Sequence, residues 1–85
     1  MKKYQRNENI VYKEEEDGAF LFDPDTGNLK YMNQTGRAAY LMLNGQSDVQ
    51  GIIQHLFDQF PEVEPRQIEE DLEVFLTELK ENGFI

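Results

Sequence analysis

The chain has 85 residues and a mass of 10.0 kDa, which allows one small domain with a modest core. It has no cysteine and a single histidine, His55, so disulfides and thiolate chemistry are excluded, and a histidine-based zinc site or a Ser-His-Asp relay lacks its partners. Seventeen acids against eight bases give a net charge of -9, the wrong sign for gripping a phosphate backbone or an anionic membrane surface.

Hydrophobic residues make up 39% of the chain, including six Phe and four Tyr, enough for a folded core. The longest apolar run, Ala38 to Leu43, is far short of the ~20 residues of a membrane span. Residues 1–8 carry charges with no apolar segment behind them. The expectations are no signal peptide, a flexible N-terminus, a single domain over 1–85 and a cytoplasmic location. The charge is uneven: residues 45–85 hold ten acids and only Arg66 and Lys80 as bases. Those acids form either a solvated, solubilising face or a surface that steers a basic partner.

Residues 9–15 open with Ile10-Val11-Tyr12 and read as a strand. Glu14-Glu15-Glu16-Asp17-Gly18 is a charged turn. Ala19 to Asp23 is a short apolar run of strand length, and Pro24-Asp25-Thr26-Gly27 is a strong turn signal. Residues 28–33 form a third strand, and the short turns imply an antiparallel meander. The period then changes. Thr35 to Asn44 reads as a short, largely buried helix capped by Asn33 or Thr35 and ended by Asn44-Gly45. Ser47 with Gln50 fits a capping box, and Val49, Ile52, Ile53, Leu56, Phe57 and Phe60 form one helical stripe stopped by Pro61. Pro65 suits the first turn of a third helix, whose stripe is Ile68, Leu72, Phe75, Leu76 and Leu79. Asn82-Gly83 caps it, with Phe84 placed to fold back. The class is α+β: a three-stranded antiparallel sheet packed on three helices.

No constellation for catalysis or metal binding emerges. His55 lies on the polar side of its helix. The acids Glu69, Glu70, Asp71 and Glu73 sit on a helix that spreads them, unlike a calcium loop. Asp23 to Gly27 lacks the distal bidentate Glu and reads as a hairpin turn. The glycines make no phosphate-cradling motif, and Ser47 is a cap rather than a nucleophile. No catalytic residue, metal or cofactor is expected.

Two features point elsewhere. Val74 is apolar yet lies opposite the third helix's core stripe, among Gln67, Glu70 and Glu78. The third strand places Leu29 and Tyr31 on one face and Lys30 and Met32 on the other. If its edge is free, strand and helix make a groove that an extended peptide can complete. The alternative is that Leu29 and Tyr31 are core.

The ordered series of signals resembles the PqqD family, the small proteins also called RiPP recognition elements, over about residues 9–85. The series comprises Glu14-Glu15 through Gly18, the apolar strand with Asp23 and the turn at Gly27, and the junction Met32-Asn33-Gln34-Thr35-Gly36. It continues through Tyr40-Leu41-Met42-Leu43, Asn44-Gly45 and Ser47 with Val49 and Ile52, to Asp71-Leu72-Glu73-Val74-Phe75-Leu76 and Gly83-Phe84-Ile85. Met32 stands where Leu is usual and Tyr40 where Trp is common. The resemblance implies a three-stranded sheet joined to a winged-helix-like trihelical bundle with no catalysis of its own. It also implies capture of the leader of a ribosomally made precursor peptide as an added strand, and its presentation to a modifying enzyme, often a radical-SAM enzyme. Carried over, the peptide-binding residues are Leu29, Lys30, Tyr31 and Met32 on the strand and Asp71, Val74, Phe75 and Glu78 on the helix. Two other readings stand beside it. One is a non-catalytic adaptor subunit for another enzyme. The other is a winged-helix DNA-binding regulator, which the six acids of the third helix oppose. A free edge also admits a monomer or a weak homodimer.

Overall fold

The computed structural model describes residues 3–85, which form five strands and three helices. In chain order they are β1 (Lys3–Gln5), β2 (Val11–Glu15), β3 (Gly18–Phe22), β4 (Leu29–Asn33), α1 (Gln34–Leu41), β5 (Asn44–Asp48), α2 (Val49–Gln59) and α3 (Pro65–Glu81). The three expected strands form an antiparallel sheet of order β2-β3-β4, in unbroken register from Val11↔Phe22↔Leu29 to Glu15↔Gly18↔Asn33. Gly18 is demanded by packing: a Cβ there would collide with the Met32 carbonyl of β4. The β3–β4 turn is built as its residues suggest. Asp23 Oδ1 accepts from the Asp25 amide at 2.9 Å, and Gly27 adopts φ 81°.

Three expectations are corrected. Residues 1–8 were expected to be flexible, but Lys3–Gln5 forms a strand antiparallel to β5; Met1 and Lys2 lie outside the described residues. The first helix stops at Leu41, capped at Met42, rather than running to Asn44. Residues 44–48 then extend to pair with β1, with Gly45 at φ 80°. That pairing also moves the cap of α2. Ser47 is drawn into β5, and Asp48 Oδ1 takes the Gly51 amide at 2.9 Å in its place.

One core cluster joins sheet and helices. The inward residues of the meander, Ala19, Leu21 and Met32, meet Ala39, Tyr40 and Leu43, the stripe of α2 through Ile52 and Leu56, and that of α3 through Ile68, Leu72, Leu76 and Leu79. Phe84 folds back as expected and is buried, its amide donating to the Leu79 carbonyl at 2.9 Å. The outer face of the sheet keeps Val11, Phe22, Leu29 and Tyr31 exposed, so Leu29 and Tyr31 are not core. Among the described residues, no helix is long and apolar enough to cross a membrane.

Tyr12 and Tyr40 stack nearly parallel at 5.7 Å, with the Arg6 guanidinium 5.4 Å from the Tyr40 centroid. Burial pushes the Tyr40 hydroxyl above its ordinary value, against the opposing pull of Arg6. Burial first, then the bond to Glu14 and its charge, push Tyr12 up as well. Both folded values exceed the unfolded value of about 10, so the associated stability is fully present below that pH and is lost as pH rises through the folded values. Urea midpoints should therefore decline above about pH 10, and Tyr40→Phe should remove part of the decline. A Tyr40→Phe curve parallel to wild type would show that burial of this hydroxyl does not set the alkaline limit.

Candidate functional site

Both β2 and β4 are edges of the three-stranded sheet. β2 carries Lys13, Glu14 and Glu15 along its length, a charged margin of the kind that discourages strand addition. β4 is different. α3 lies beside it, and between them opens a cleft of about 630 Å³. Met32, Ala39, Leu56, Ile68, Leu72 and Phe75 supply its apolar lining, and Lys30, Asp71 and Glu78 are its charged groups.

The hydrogen-bond parity of β4 follows from the turn. Asp23 N–H donates to the Asn28 carbonyl at 2.8 Å, and the register continues without a shift. Bonded pairs alternate along an antiparallel ladder, so Lys30 and Met32 direct their N–H and C=O groups to β3. Leu29 and Tyr31 direct theirs to the open edge, and Asn33 its N–H, while the Asn33 carbonyl, at the N-cap, begins the bonding of α1. The side chains alternate in step. Lys30 and Met32 turn inward beneath the cleft, while Tyr31 lies outward against Phe20, ring centroids 5.2 Å apart, its hydroxyl donating to the Asp17 carbonyl at 3.3 Å.

Two contacts tie α3 to this side of the sheet. Lys30 Nζ reaches Glu78 Oε2 at 2.9 Å and sits 5.8 Å from the centroid of the Phe75 ring. Asn28 Nδ2 donates to the Asn82 carbonyl at 3.3 Å. Both are at the C-terminal end of the helix. At the start of α1, Asn33 Oδ1 accepts from Gly36 N–H at 2.9 Å, turning the chain sharply out of β4. Gly36 lacks the Cβ that would lie 3.6 Å from the Phe75 ring, so the junction takes little room from the cleft.

Of the eight residues carried over from the sequence, seven line this cleft: Lys30, Tyr31, Met32, Asp71, Val74, Phe75 and Glu78. Leu29 does not; it projects from the outer face of the sheet, 64% exposed. Val74, the apolar residue without a core role, stands exposed on the cleft's rim. Sequence reasoning assigned Leu56, Ile68 and Leu72 to core stripes only, and Gly36 to no role in the cleft. Their position at its floor depends on how far α3 stands from β4, which no local pattern encodes. His55 is half-buried on α2 and does not line the cleft. Among the described residues, no group of His, Asp and Glu is placed to hold a metal ion.

The family model for coenzyme PQQ synthesis protein D (PqqD) matches residues 18–85. The chain belongs to the PqqD family. No curated protein matches it significantly in sequence. Among solved structures, TbiB1 in complex with the TbiA(beta) leader peptide is similar with a TM-score of 0.78 at 19% identity, covering 94% of this chain and 92% of that one. Lasso peptide synthetase B1 complexed with the leader peptide is similar at 0.78 with 26% identity, covering 96% and 95%. The family match begins at Gly18, and the structural likeness carries the PqqD-like fold across nearly the whole chain, β2 included.

The parity of β4 has a direct test in stability. Tyr31→Pro removes a donor that faces the open edge, so it should match Tyr31→Ala in urea midpoint. Lys30→Pro removes a ladder bond and orphans the Leu21 carbonyl, so it should fall about 1–3 kcal/mol below Lys30→Ala. The reverse ranking would place the free groups on Lys30 and Met32.

Proposed function

We propose that this chain is a non-catalytic peptide-recognition element that captures the leader of a ribosomally synthesised precursor peptide by strand addition to β4 and presents the peptide to a modifying enzyme in the cytoplasm. The observation that carries this reading is the open edge of β4 beside a preformed apolar cleft. Membership of the PqqD family supports it, as do two solved relatives of the same fold that hold leader peptides. In this mode, main-chain bonds to Leu29, Tyr31 and Asn33 set the register of the peptide. Lys30, Met32, Asp71, Val74, Phe75 and Glu78 sort its inward side chains. Leu29 contributes through its backbone. The chain itself supplies no chemistry: it raises the local concentration of the peptide's modifiable segment at the enzyme.

Titration of ¹⁵N-labelled protein with the leader encoded beside its gene should move amide resonances of residues 28–33 and 66–79. It should also slow hydrogen exchange at the outward amides of β4. Tyr31→Pro should weaken binding well beyond Tyr31→Ala, because only the proline deletes the edge donor. Shifts confined to β2 or α2, or equal losses for the two Tyr31 variants, would reject strand addition at β4.

A further inference from the structure

The wall that α3 presents to the cleft is not electrically uniform. Asp71, Val74 and Glu78 all line it, at i, i+3 and i+7. Glu78 is neutralised by Lys30 at 2.9 Å. Asp71 is exposed, accepts only the neutral Gln67 amide at 2.8 Å, and pairs with no cation among the described residues. The remaining bases of α3 do not compensate it. Arg66 is bonded to Glu70 at 3.3 Å, and Lys80 lines a separate groove on the other side of the helix.

The position of Asp71 along the cleft can be placed. Lys30 meets Glu78 and Asn28 meets Asn82, so β4 and α3 run in opposite directions. Seven residues of helix from Glu78 to Asp71 rise ~10 Å, the length of about three strand residues. That brings Asp71 level with Asn33, at the end of the cleft where its neighbours on α3, Ile68 and Leu72, join Leu56 in the apolar lining. A peptide strand laid on β4 therefore passes a closed ion pair at one end and a lone carboxylate beside an apolar pocket at the other.

We infer that the cleft selects an extended peptide bearing a lysine or arginine at the position facing Asp71, close to an apolar side chain seated over Leu56, Ile68 and Leu72. This preference rests on the peptide-binding reading above and adds the chemistry of the peptide to it. A strand in the cleft shields Asp71 from water, which makes a cation favourable and an acid costly at that position. The net charge of -9 acts in the same direction over longer range.

The test is an mRNA-display selection of random 16-residue peptides against wild type, Asp71→Lys and Glu73→Lys. Glu73 is exposed on α3 but lines the other groove, so its reversal changes net charge by the same amount without touching the cleft. Wild type and Glu73→Lys should enrich one motif, an apolar anchor with Lys or Arg at a fixed offset. Asp71→Lys should enrich Asp or Glu at that offset. A peptide selected by wild type should bind Asp71→Lys about fivefold or more weakly, with the gap narrowing in high salt. Thermal melts check that both variants fold. Identical motifs for all three proteins, or inversion by Glu73→Lys as well, would overturn the assignment to Asp71 while leaving peptide capture intact. Failure of folded wild type to enrich any motif would overturn peptide capture and the charge preference together.

Discussion

Leu29 and Tyr31 turn backbone donors and acceptors away from β3, Asn33 adds its donor, and the rest of the cleft takes its meaning from that unmatched row. An open edge is a hazard as well as a site, because it can pair with its own copies. The second edge of the same sheet, β2, is lined with charge. β4 is shielded differently. An antiparallel β4–β4 pair would form a continuous sheet with both copies of α3 on the same side. Each α3 carries Glu69, Glu70, Asp71, Glu73, Glu78 and Glu81 against Arg66 and Lys80. Bringing two such helices together meets like-charge repulsion that a peptide without its own helix escapes. The acidity of the C-terminal half, ambiguous between solubility and steering in the sequence, thus has a structural consequence at this edge.

The placement of α3 beside β4 is held by contacts between residues far apart in sequence. The C-terminal end of α3 is tied to β4 and its turn through Lys30–Glu78 and Asn28–Asn82. Asn7 holds the residues just beyond it, its side-chain amide donating to the Gly83 carbonyl at 3.0 Å and its backbone amide to Phe84 at 3.1 Å. Arg6 continues the line, with its amide on the Leu43 carbonyl at 3.0 Å and its guanidinium on Tyr40. The N-terminal segment is thereby part of the scaffold. Arg37 adds a brace from α1, its guanidinium donating to the carbonyls of Glu15 at 3.3 Å and Gly18 at 3.4 Å. Helix and hairpin are held as a frame, and the strand edge between them is left open.

What was legible in the sequence divides along physical lines. The meander, the two long helices, the returning Phe84 and the turn at Gly27 were readable because each is written locally, in period-two patterning, helical stripes or residues suited to one turn geometry. β1 and β5 were not. Asn44-Gly45-Gln46-Ser47-Asp48 has no β-branched or aromatic residue and reads as a turn and cap; it is a strand only because residues 3–5 pair with it. The same long-range pairing moved the helix cap by one residue, to Asp48. Lys30, Tyr31, Met32 and Val74 were marked by the residues themselves, as an edge strand and a misplaced apolar residue, whereas Asp71, Phe75 and Glu78 came only with the family resemblance. Leu29 lies off the cleft, because it begins β4 with its side chain on the sheet's outer face, and alternation separates two faces of a strand without saying which looks into a groove.

The shortness of β4 decides where discrimination resides. Three outward residues offer a handful of main-chain bonds, each contributing about 1 kcal/mol net. Ordering five residues of a flexible peptide costs on the order of 1–2 kcal/mol apiece. Under strand addition, the edge by itself would align a peptide without retaining it. Retention would then rest on side chains buried against Met32, Leu56, Ile68, Leu72 and Phe75, where a well-buried aliphatic or aromatic group contributes roughly 1.5–3 kcal/mol. Only every second peptide side chain faces that floor, because a strand alternates. The frame built by Arg37, Asn7 and the α3 ties then bears on affinity as well as on shape: a cleft already open at the right width leaves the peptide as the main partner to be ordered. A loosened α3 would weaken capture even with every residue of β4 intact.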